Sequence, residues 1–371
     1  MSMIKYFVRQ LIIIILMMNI SSASLKEVFS DYFLMGTIWH GHDIIDPSNH
    51  RINPYINREK ELSAREFNSI TAENCMKPDF TQPEDGVYTF DESDEMVMYA
   101  EENGMVIIGH TLVWHNQTPK WFFEDDEGKT VSRDILIHRL KTHIRTVVER
   151  YKGRIEYWDV VNELIHTRKI NETNYEAFYR NTPWYKIIGP EYIDIAFKTV
   201  LEVDPNAKLL YNDYNLDQNA KLDFAINMIK ELRTKGIPIY GLGYQGHLLL
   251  KEPSLQQIER VFIKCKEANI PLHITELDVS VLPFGWDHRG IIISENTELS
   301  QALNPYAEGI PDSIKVALAE RYKNIFSLFL RYSDILERVT FWGVWDGNSW
   351  RDYSPIRGRN DYPLLFDRDF N

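Results

Sequence analysis

The chain has little cysteine and no cluster of basic residues. Cys75 and Cys265 are the two cysteines among 371 residues. A disulfide between them has no support in the sequence, and we expect two buried thiols because free cysteine commonly serves as a small core residue. The formal net charge is −13. Nucleic acids and anionic membranes attract basic surfaces, so this charge argues against both as partners.

Long hydrophobic runs are also scarce, and the one that stands out lies at the N-terminus. Lys5 and Arg9 precede the apolar run 11–18, and small residues occupy positions 22–24. This run is short for a membrane span, whereas the whole pattern is typical of a signal peptide. We therefore predict a signal peptide over residues 1–24, a secreted or periplasmic protein, and no membrane contact after cleavage. An uncleaved membrane anchor is the alternative.

Strand-like and helix-like segments alternate through the rest of the chain. The predicted strands are Phe33–Trp39, Ser69–Met76, Met105–Thr111, Glu156–Asn162, Lys208–Asn212, Ile239–Tyr244, Leu272–Thr275 and Val339–Val344. The predicted helices are Glu59–Phe67, Glu92–Asn103, Arg133–Tyr151, Tyr192–Val203, Gln218–Lys235, Leu255–Ala268 and Ser313–Tyr332. Alternation of this kind builds a parallel sheet, and eight strands close a barrel. We predict an α/β protein with a single-domain TIM (β/α)8 barrel over residues 25–371; a doubly wound open sheet is the alternative.

Two connections between these elements are unusually long. They are Thr167–Gly189 and Val279–Pro311, and each follows a predicted strand that ends in carboxylates. The loops after the strands of a TIM barrel carry its active site, so these connections are candidates for its walls. Few residues follow the last predicted strand, and we expect the eighth helix to be short or absent.

Two short apolar runs each end in a glutamate. Trp158–Glu163 reads WDVVNE, and His273–Asp278 reads HITELD. β-Branched residues that lead into a carboxylate indicate a buried strand with an acid at its carboxyl end. A barrel that brings both ends together holds two carboxylates in one cleft. Glycoside hydrolysis requires such a pair, one protonated and one ionised.

Hydrogen-bonding side chains follow seven of the eight predicted strands, and tryptophans lie among them. Any one of these side chains has a simple structural explanation, but seven sets in corresponding places are hard to explain by packing. Polar groups beside indole rings are typical of a carbohydrate groove. The segments are 71–77, 110–117, 162–163, 212–215, 245–247, 276–278 and 342–350.

These segments resemble the ordered motifs of glycoside hydrolase family 10, the endo-1,4-β-xylanases, from about Leu25 to Phe370. The matching motifs are 73–77, 110–117, 158–163, 212–215, 243–248, 274–279, 341–350 and 363–367. The resemblance implies a TIM barrel that hydrolyses internal β-1,4-xylosidic linkages by a retaining double displacement, with xylan and xylo-oligosaccharides as its binding partners. It implies no cofactor and no metal, and a monomer is sufficient.

The resemblance also implies a role for each matched residue. Glu163 would be the general acid/base and Glu276 the nucleophile. Asn162 would contact the 2-hydroxyl of the sugar being cleaved, and His247, held by Asp278, would hydrogen-bond the nucleophile. The residues implied to line the substrate cleft, mostly on its glycone side, are Glu73, Asn74, Lys77, His110, Trp114, Gln117, Tyr214, Gln245, Trp342 and Trp350.

Three features depart from the family pattern. Cys75 stands where a glutamate is usual, Trp345 is bulkier than the small polar residue often found there, and the segment 39–42 reads WHGH. They leave both glutamates intact, so they bear on affinity for the glycone rather than on the class of reaction.

Other interpretations of the sequence lead to distinct expectations. His40 and His42 invite comparison with metal-dependent amidohydrolases, but those barrels need further histidine ligands at the fifth and sixth strands. The glycines of 241–246 match GxGxxG, yet no predicted helix opens there, so a dinucleotide site is not indicated. Two alternatives remain open: a catalytically inactive barrel that binds xylan, and a hydrolase of another β-1,4-glycan such as cellulose.

Overall fold

Eight strands pair in parallel and close on themselves. The computed structural model describes residues 23–46, 49–171, 174–295 and 297–371. Its barrel strands are β1 (Leu34–Trp39), β2 (Ser69–Ala72), β3 (Val106–Val113), β4 (Tyr157–Asn162), β5 (Lys208–Asp213), β6 (Gly241–Tyr244), β7 (Leu272–Ser280) and β8 (Leu336–Phe341). Each strand pairs in parallel with the next, and β8 pairs with β1. The predicted TIM barrel is therefore confirmed, and the open sheet is wrong.

In the part of the chain that the structure describes, seven long helices surround the barrel. They are α1 (Ile56–Glu66), α2 (Asp91–Glu102), α3 (Arg133–Arg150), α4 (Glu191–Val203), α5 (Asn219–Thr234), α6 (Leu255–Glu267) and α7 (Asp312–Arg331). Helix α3 shows why they form: the Ser132 hydroxyl caps its first turn, and residues spaced by three or four, Leu136, Leu140 and Ile144 among them, are buried on one face. Six of the seven helices begin and end within one residue of the prediction.

Shorter elements decorate the barrel. Hairpins Asp43–Asp46/Asn49–Ile52 and Ile165–Lys169/Tyr175–Tyr179 follow β1 and β4, and a strand segment, His247–Leu249, follows β6. Short helices span Leu25–Val28, Pro78–Thr81, Pro183–Ile188 and Thr297–Leu303, and 3₁₀ turns span Lys120–Phe122, Trp286–His288, Ile293–Glu295, Asp346–Asn348 and Trp350–Asp352. Among the described residues, two 3₁₀ turns and no α-helix follow β8. This agrees with the expectation of a short or absent eighth helix.

Three predicted strands differ from the observed strands by three residues or more at a boundary. β2 ends at Ala72 rather than Met76, because Lys77 closes a turn on the Asn74 carbonyl at 2.9 Å. β7 continues past Thr275 to Ser280, because its second half pairs with the segment His247–Leu249. β8 lies three residues earlier than predicted. The sequence pattern of β7 was difficult to recognise as a strand because its acidic residues, Glu276 and Asp278, lie inside the strand and are buried there.

The two cysteines are free and buried, as predicted. Cys75 lies in the turn after β2, and its side chain joins the main hydrophobic core. Cys265 lies in α6 in the same core.

The predicted signal peptide falls almost entirely on residues 1–22, which lie outside the described residues. Among the residues that are described, no helix is both long and apolar enough to cross a bilayer.

Candidate active site

The predicted site residues gather at one face of the barrel, where the carboxyl ends of its parallel strands meet. Glu163 directly follows β4, and Glu276 lies in β7. Four further segments that follow β2, β3, β5 and β6 reach the same face. This convergence follows from the topology, which places all eight strand ends on one rim.

Glu163 has an unusual backbone conformation that several contacts hold. Its φ is +55°, in the left-handed region, which costs a residue with a side chain about 1–2 kcal/mol. Its N–H donates to the Asn212 carbonyl at 2.9 Å, and its carbonyl accepts from Arg180 Nε at 2.9 Å. Its carboxylate accepts from Trp114 Nε1 at 2.9 Å and from Gln245 Nε2 at 3.0 Å. The side chain is therefore fixed at both ends.

Glu276 is more deeply buried, with only 5% of its surface exposed. One carboxylate oxygen accepts from Asn212 Nδ2 at 2.7 Å, and the other accepts from His247 Nε2 at 3.0 Å. Its N–H donates to the Gln245 carbonyl at 2.7 Å. Both oxygens of this carboxylate thus have a directed donor.

Asn212 and Gln245 connect the two glutamates in a crosswise manner. The Asn212 backbone carbonyl binds Glu163 and its side chain binds Glu276. Gln245 does the reverse, since its backbone carbonyl binds Glu276 and its side chain binds Glu163. Because the two bridges run in opposite directions, a shift of either glutamate disturbs hydrogen bonds at the other.

His247 lies between two carboxylates. Its Nε2 faces Glu276 and its Nδ1 is 3.0 Å from Asp278 Oδ2. Burial disfavours the charged ring, but Asp278 and Glu276 overcome this and raise the pKa of His247 to about 9. Asp278 also accepts from Trp350 Nε1 at 2.8 Å and from both Nε and Nη2 of Arg351. At neutral pH the ring is therefore an imidazolium that donates to both carboxylates.

A second polar group lies beside Trp114. Lys77 Nζ donates to Asn74 Oδ1 at 3.0 Å and to Gln117 Oε1 at 2.8 Å, and Gln117 Nε2 donates to the same Asn74 oxygen. The ammonium also lies 4.9 Å from the centroid of a Trp114 ring. Burial lowers the pKa of Lys77, while neighbouring carboxylates, Glu73 first among them, oppose the change. Lys77, Asn74 and Gln117 therefore form one connected unit next to Glu163.

The remaining predicted residues lie around the two glutamates and around the unit of Lys77, Asn74 and Gln117. His110 is almost fully buried, pairs with Asp159 at 2.9 Å, and its ring meets that of Trp342 edge-on at 5.3 Å. The Asn162 amide oxygen accepts from Asn212 Nδ2 at 3.0 Å. Arg180 Nη2 donates a hydrogen bond to the Tyr214 hydroxyl oxygen at 2.6 Å.

Some residues that shape the site received no role from the sequence. Asn212 lay inside a quoted motif at a strand end, which was a signal, but its bridging of two glutamates depends on two neighbouring strands. Arg180 and Arg351 reach the site from loops, and nothing in their local sequence marks them. His115, whose Nε2 is 3.9 Å from Glu163, is a further neighbour.

The atypical segments have structural explanations. The Cys75 side chain packs in the core, away from the polar face. His40 is buried beside Glu59 and Glu73, whereas His42 is half exposed and pairs with Glu95, so the two histidines diverge. Among the residues described, no three His, Cys, Asp or Glu side chains are grouped as metal ligands. No helix opens at Gly246, which a strand segment follows.

A TIM barrel that presents two hydrogen-bonded glutamates beside tryptophans and amides has the site of a glycoside hydrolase. Comparison with known proteins agrees. The model of glycosyl hydrolase family 10 matches residues 24–371. The chain therefore belongs to glycosyl hydrolase family 10.

The similar proteins include several that are named as xylanases. Endo-1,4-beta-xylanase A of Xylanibacter ruminicola is 39% identical over 94% of this chain and 90% of its own length. Endo-1,4-beta-xylanase of Geobacillus stearothermophilus is 39% identical over 95% of this chain and 96% of its own. The solved structure of a family 10 endoxylanase from a sugarcane soil metagenome is 38% identical, with a TM-score of 0.82 over 94% of this chain and 96% of that one.

Proposed function

We propose that this chain is an endo-β-1,4-xylanase that hydrolyses xylan with retention of configuration. Glu163 is the general acid/base and Glu276 the nucleophile in this proposal. The observation that carries it is the difference between the two carboxylates. A cationic histidine contacts the Glu276 carboxylate, whereas an indole and an amide, both neutral donors, contact the Glu163 carboxylate.

The surroundings of Glu276 suit a nucleophile. The His247 imidazolium and the Asn212 amide both stabilise the ionised carboxylate, which is the form that attacks the anomeric carbon. Asp278, with Arg351 behind it, fixes the histidine ring. Glu276 then bonds to the sugar, and its negative charge is lost in the ester of the glycosyl-enzyme intermediate.

The surroundings of Glu163 suit a group that changes protonation state. In the first step it gives its proton to the glycosidic oxygen, and the leaving chain departs with that proton. In the second step it removes a proton from water, which attacks the anomeric carbon and releases Glu276. Donors from Trp114 and Gln245 hold the carboxyl in place without adding a fixed charge beside it.

The sugar-binding assignments extend this proposal. Asn162, hydrogen-bonded to Asn212, would meet the 2-hydroxyl of the cleaved sugar. The connected unit of Lys77, Asn74 and Gln117, together with Glu73, would bind glycone hydroxyls. Trp342 and Trp350 would pack on sugar faces. The other residues assigned to the cleft are His110, Trp114, Tyr214 and Gln245. The names of the curated relatives support xylan as substrate, and one similar solved structure is described as the complex of a mutant xylanase with xylotriose.

Product analysis tests the activity. Purified protein is incubated with β-1,4-xylan and, separately, with carboxymethyl cellulose, and the products are followed over time by chromatography. Early release of mixed xylo-oligosaccharides, with little from cellulose, supports an endo-xylanase. Cellulose as the better substrate indicates another β-1,4-glycanase, and binding without any product indicates an inactive barrel.

Azide rescue tests the two roles. Glu163→Ala with an activated aryl β-xylobioside forms the glycosyl-enzyme, because such a leaving group needs no acid, but it hydrolyses the intermediate slowly. Added azide should attack the same carbon and yield a β-glycosyl azide. Glu276→Ala should form no intermediate and show no rescue to a β-product. An α-azide from Glu163→Ala would contradict the assignment.

We further propose that residues 1–24 form a signal peptide and that the protein acts outside the cytoplasm. The basic start and the apolar run support this, and the family match begins at residue 24. Family membership alone does not decide location, since one similar solved structure is described as an intracellular xylanase. N-terminal sequencing of protein recovered from the producing cells tests it: a start near Ser24 or Leu25 supports cleavage, and a start at Met1 contradicts it.

A further inference from the structure

Two features that depart from the family pattern, His40 and Trp345, meet at one buried carboxylate. Glu59 of α1 is 3% exposed. It accepts from Trp345 Nε1 at 2.7 Å, from Asn348 Nδ2 at 3.1 Å and from Asn53 Nδ2 at 2.8 Å. His40 Nδ1 lies 3.4 Å from the same Glu59 oxygen that Trp345 binds. Neutral donors thus fix Glu59 on one side, and His40 faces it on the other.

The opposite edge of the His40 ring faces Glu73. The distance from His40 Nε2 to Glu73 Oε2 is 3.8 Å, and the two side chains are 5% and 15% exposed. This separation is too long for a direct hydrogen bond. It is short enough for a strong interaction between two charges that water screens poorly, so the contact is mainly electrostatic. His40 therefore lies between a structural carboxylate and one at the cleft.

The electrostatics of this cluster favour a charged ring. Burial opposes the charge, but Glu59 and Glu73 outweigh it and raise the pKa of His40 to about 9. Burial also acts on Glu73 and raises the pKa of its carboxyl. His40 and Lys77 counteract that rise, whereas Glu59 and Glu276 add to it. The cations His40 and Lys77 thus favour the ionised form of Glu73 against the effect of burial.

A neighbouring acid on α2 contacts the backbone beside this cluster. Glu92 accepts from the backbone N–H of His42 at 3.0 Å, at the turn that follows His40. The carboxylates that the two ring nitrogens of His40 face are those of Glu59 and Glu73.

We infer that His40 is a positioning residue that holds Glu73 as an ionised hydrogen-bond acceptor for the glycone. This inference rests on the proposed function, which places Glu73 on the glycone side of the cleft. An ionised carboxylate accepts from sugar hydroxyls more strongly than a protonated one, so glycone affinity should fall when Glu73 gains a proton. Trp345 contributes indirectly, because it fixes the Glu59 charge that keeps His40 protonated.

The cluster predicts a specific effect of removing the cation. His40→Asn leaves Glu73 without this neighbouring positive charge, so Glu73 should protonate at a higher pH. His40→Gln, whose side chain is longer, should act in the same direction. A merely structural role of His40 would instead weaken binding by a similar factor at every pH.

The experiment measures xylotriose affinity by calorimetry between pH 4 and 8. Every protein carries Glu163→Ala, which prevents hydrolysis and leaves the His40 cluster intact. Relative to this background, His40→Asn should move the acidic loss of affinity to higher pH and weaken binding about 10-fold at a pH where the background still binds fully. His40→Gln should move the loss in the same direction as His40→Asn. His42→Asn, which alters the half-exposed neighbour that pairs with Glu95, should leave the curve unchanged.

Each outcome decides the inference. A displacement of the acidic loss to higher pH in His40→Asn supports it. No displacement, or one to lower pH, overturns it, and the proposed function then stands if the wild-type protein still cleaves xylan. Failure of the background protein to bind xylotriose at any pH overturns both proposals. If His40→Asn does not fold, His40→Gln decides alone: a shift to higher pH supports the inference, and any other result overturns it.

Discussion

Gln245 donates a hydrogen bond from its side chain to the carboxylate of Glu163, at 3.0 Å. The same residue accepts the backbone N–H of Glu276 at 2.7 Å. Gln245 is 2% exposed, so it has no room to exchange these contacts for solvent. It therefore sets the position of one glutamate relative to the other, which the proposed double displacement requires.

Gln245→Ala should lower kcat/KM on xylan at least about 10-fold, since a buried hydrogen bond that positions the Glu163 carboxyl group is lost. The backbone bond to Glu276 remains, so the fold should survive. Steady-state kinetics on an aryl β-xylobioside and on xylan provide the measurement. Gln256→Ala, at an exposed position of α6, is the control. Equal kinetics for both variants would mean that the Gln245 contact does not position Glu163.

Gly243 leaves room for the Asn212 side chain, which forms the second bridge between the two glutamates. A Cβ built there would lie 2.4 Å from Asn212 Oδ1 and 2.9 Å from Thr275 Cγ2. Gly243→Ala must therefore displace the Asn212 side chain, which donates to Glu276 at 2.7 Å. We expect kcat to fall at least about 10-fold, while binding of xylotriose to the cleft changes less.

Gly128→Ala is the comparison for this substitution. Gly128 has a φ of +75° in an exposed turn with open space around it. An alanine there strains the backbone and should lower the free energy of unfolding by about 1 kcal/mol without changing kcat. If Gly243→Ala behaves in the same way, the Asn212 bridge has no part in catalysis.

The barrel and its site face could be predicted from the sequence because both depend on local signals. Strand and helix patterns alternate, and parallel strands that share one rim bring their carboxyl ends together whatever the loops do. The lengths of β2 and β7 were wrong for the opposite reason. A local turn at Asn74 ends β2, and a strand segment more than twenty residues away in sequence, His247–Leu249, extends β7.

The side-chain contacts between distant segments could not be predicted from the sequence either. His40 and Trp345 were marked as unusual, but their meeting at Glu59 joins β1, α1 and the loop after β8. Arg180 reaches Glu163 from the end of a hairpin, and an arginine in a loop carries no signal of that contact. Sequence patterns identify which residues reach the rim, whereas side-chain packing across the barrel decides which of them touch.

Trp114 donates to the Glu163 carboxylate through its indole N–H. Trp114→Phe keeps an aromatic ring beside Lys77 but removes this donor together with part of the ring system, so kcat should fall about 10-fold with a smaller change in KM. Trp121→Phe is matched, because it removes an indole N–H that donates to the Gln82 carbonyl at 3.2 Å, away from the glutamates. A larger loss of kcat in Trp121→Phe would contradict the prediction.

The histidines predict how stability depends on pH. The pKa of His247 is raised to about 9, so its contribution to stability is complete below about 6.5 and is lost as the pH rises through about 9. His40 acts in the same window. Burial lowers the pKa of His115 to about 3 and of His143 to about 4, so stability is lost as the pH falls below about 6.5. Stability should therefore be greatest near pH 6.5.

Urea unfolding at pH 6.5 and pH 9 measures the alkaline side of this dependence. His247→Gln should be less stable than the wild type at pH 6.5 but should lose less stability between the two pH values, because the raised pKa is gone. His138→Gln, at an exposed position of α3, should retain the wild-type difference. Since His40 is unchanged, the His247 variant should keep part of the alkaline loss. If it loses as much stability as the wild type, His247 is not held as an imidazolium between Asp278 and Glu276.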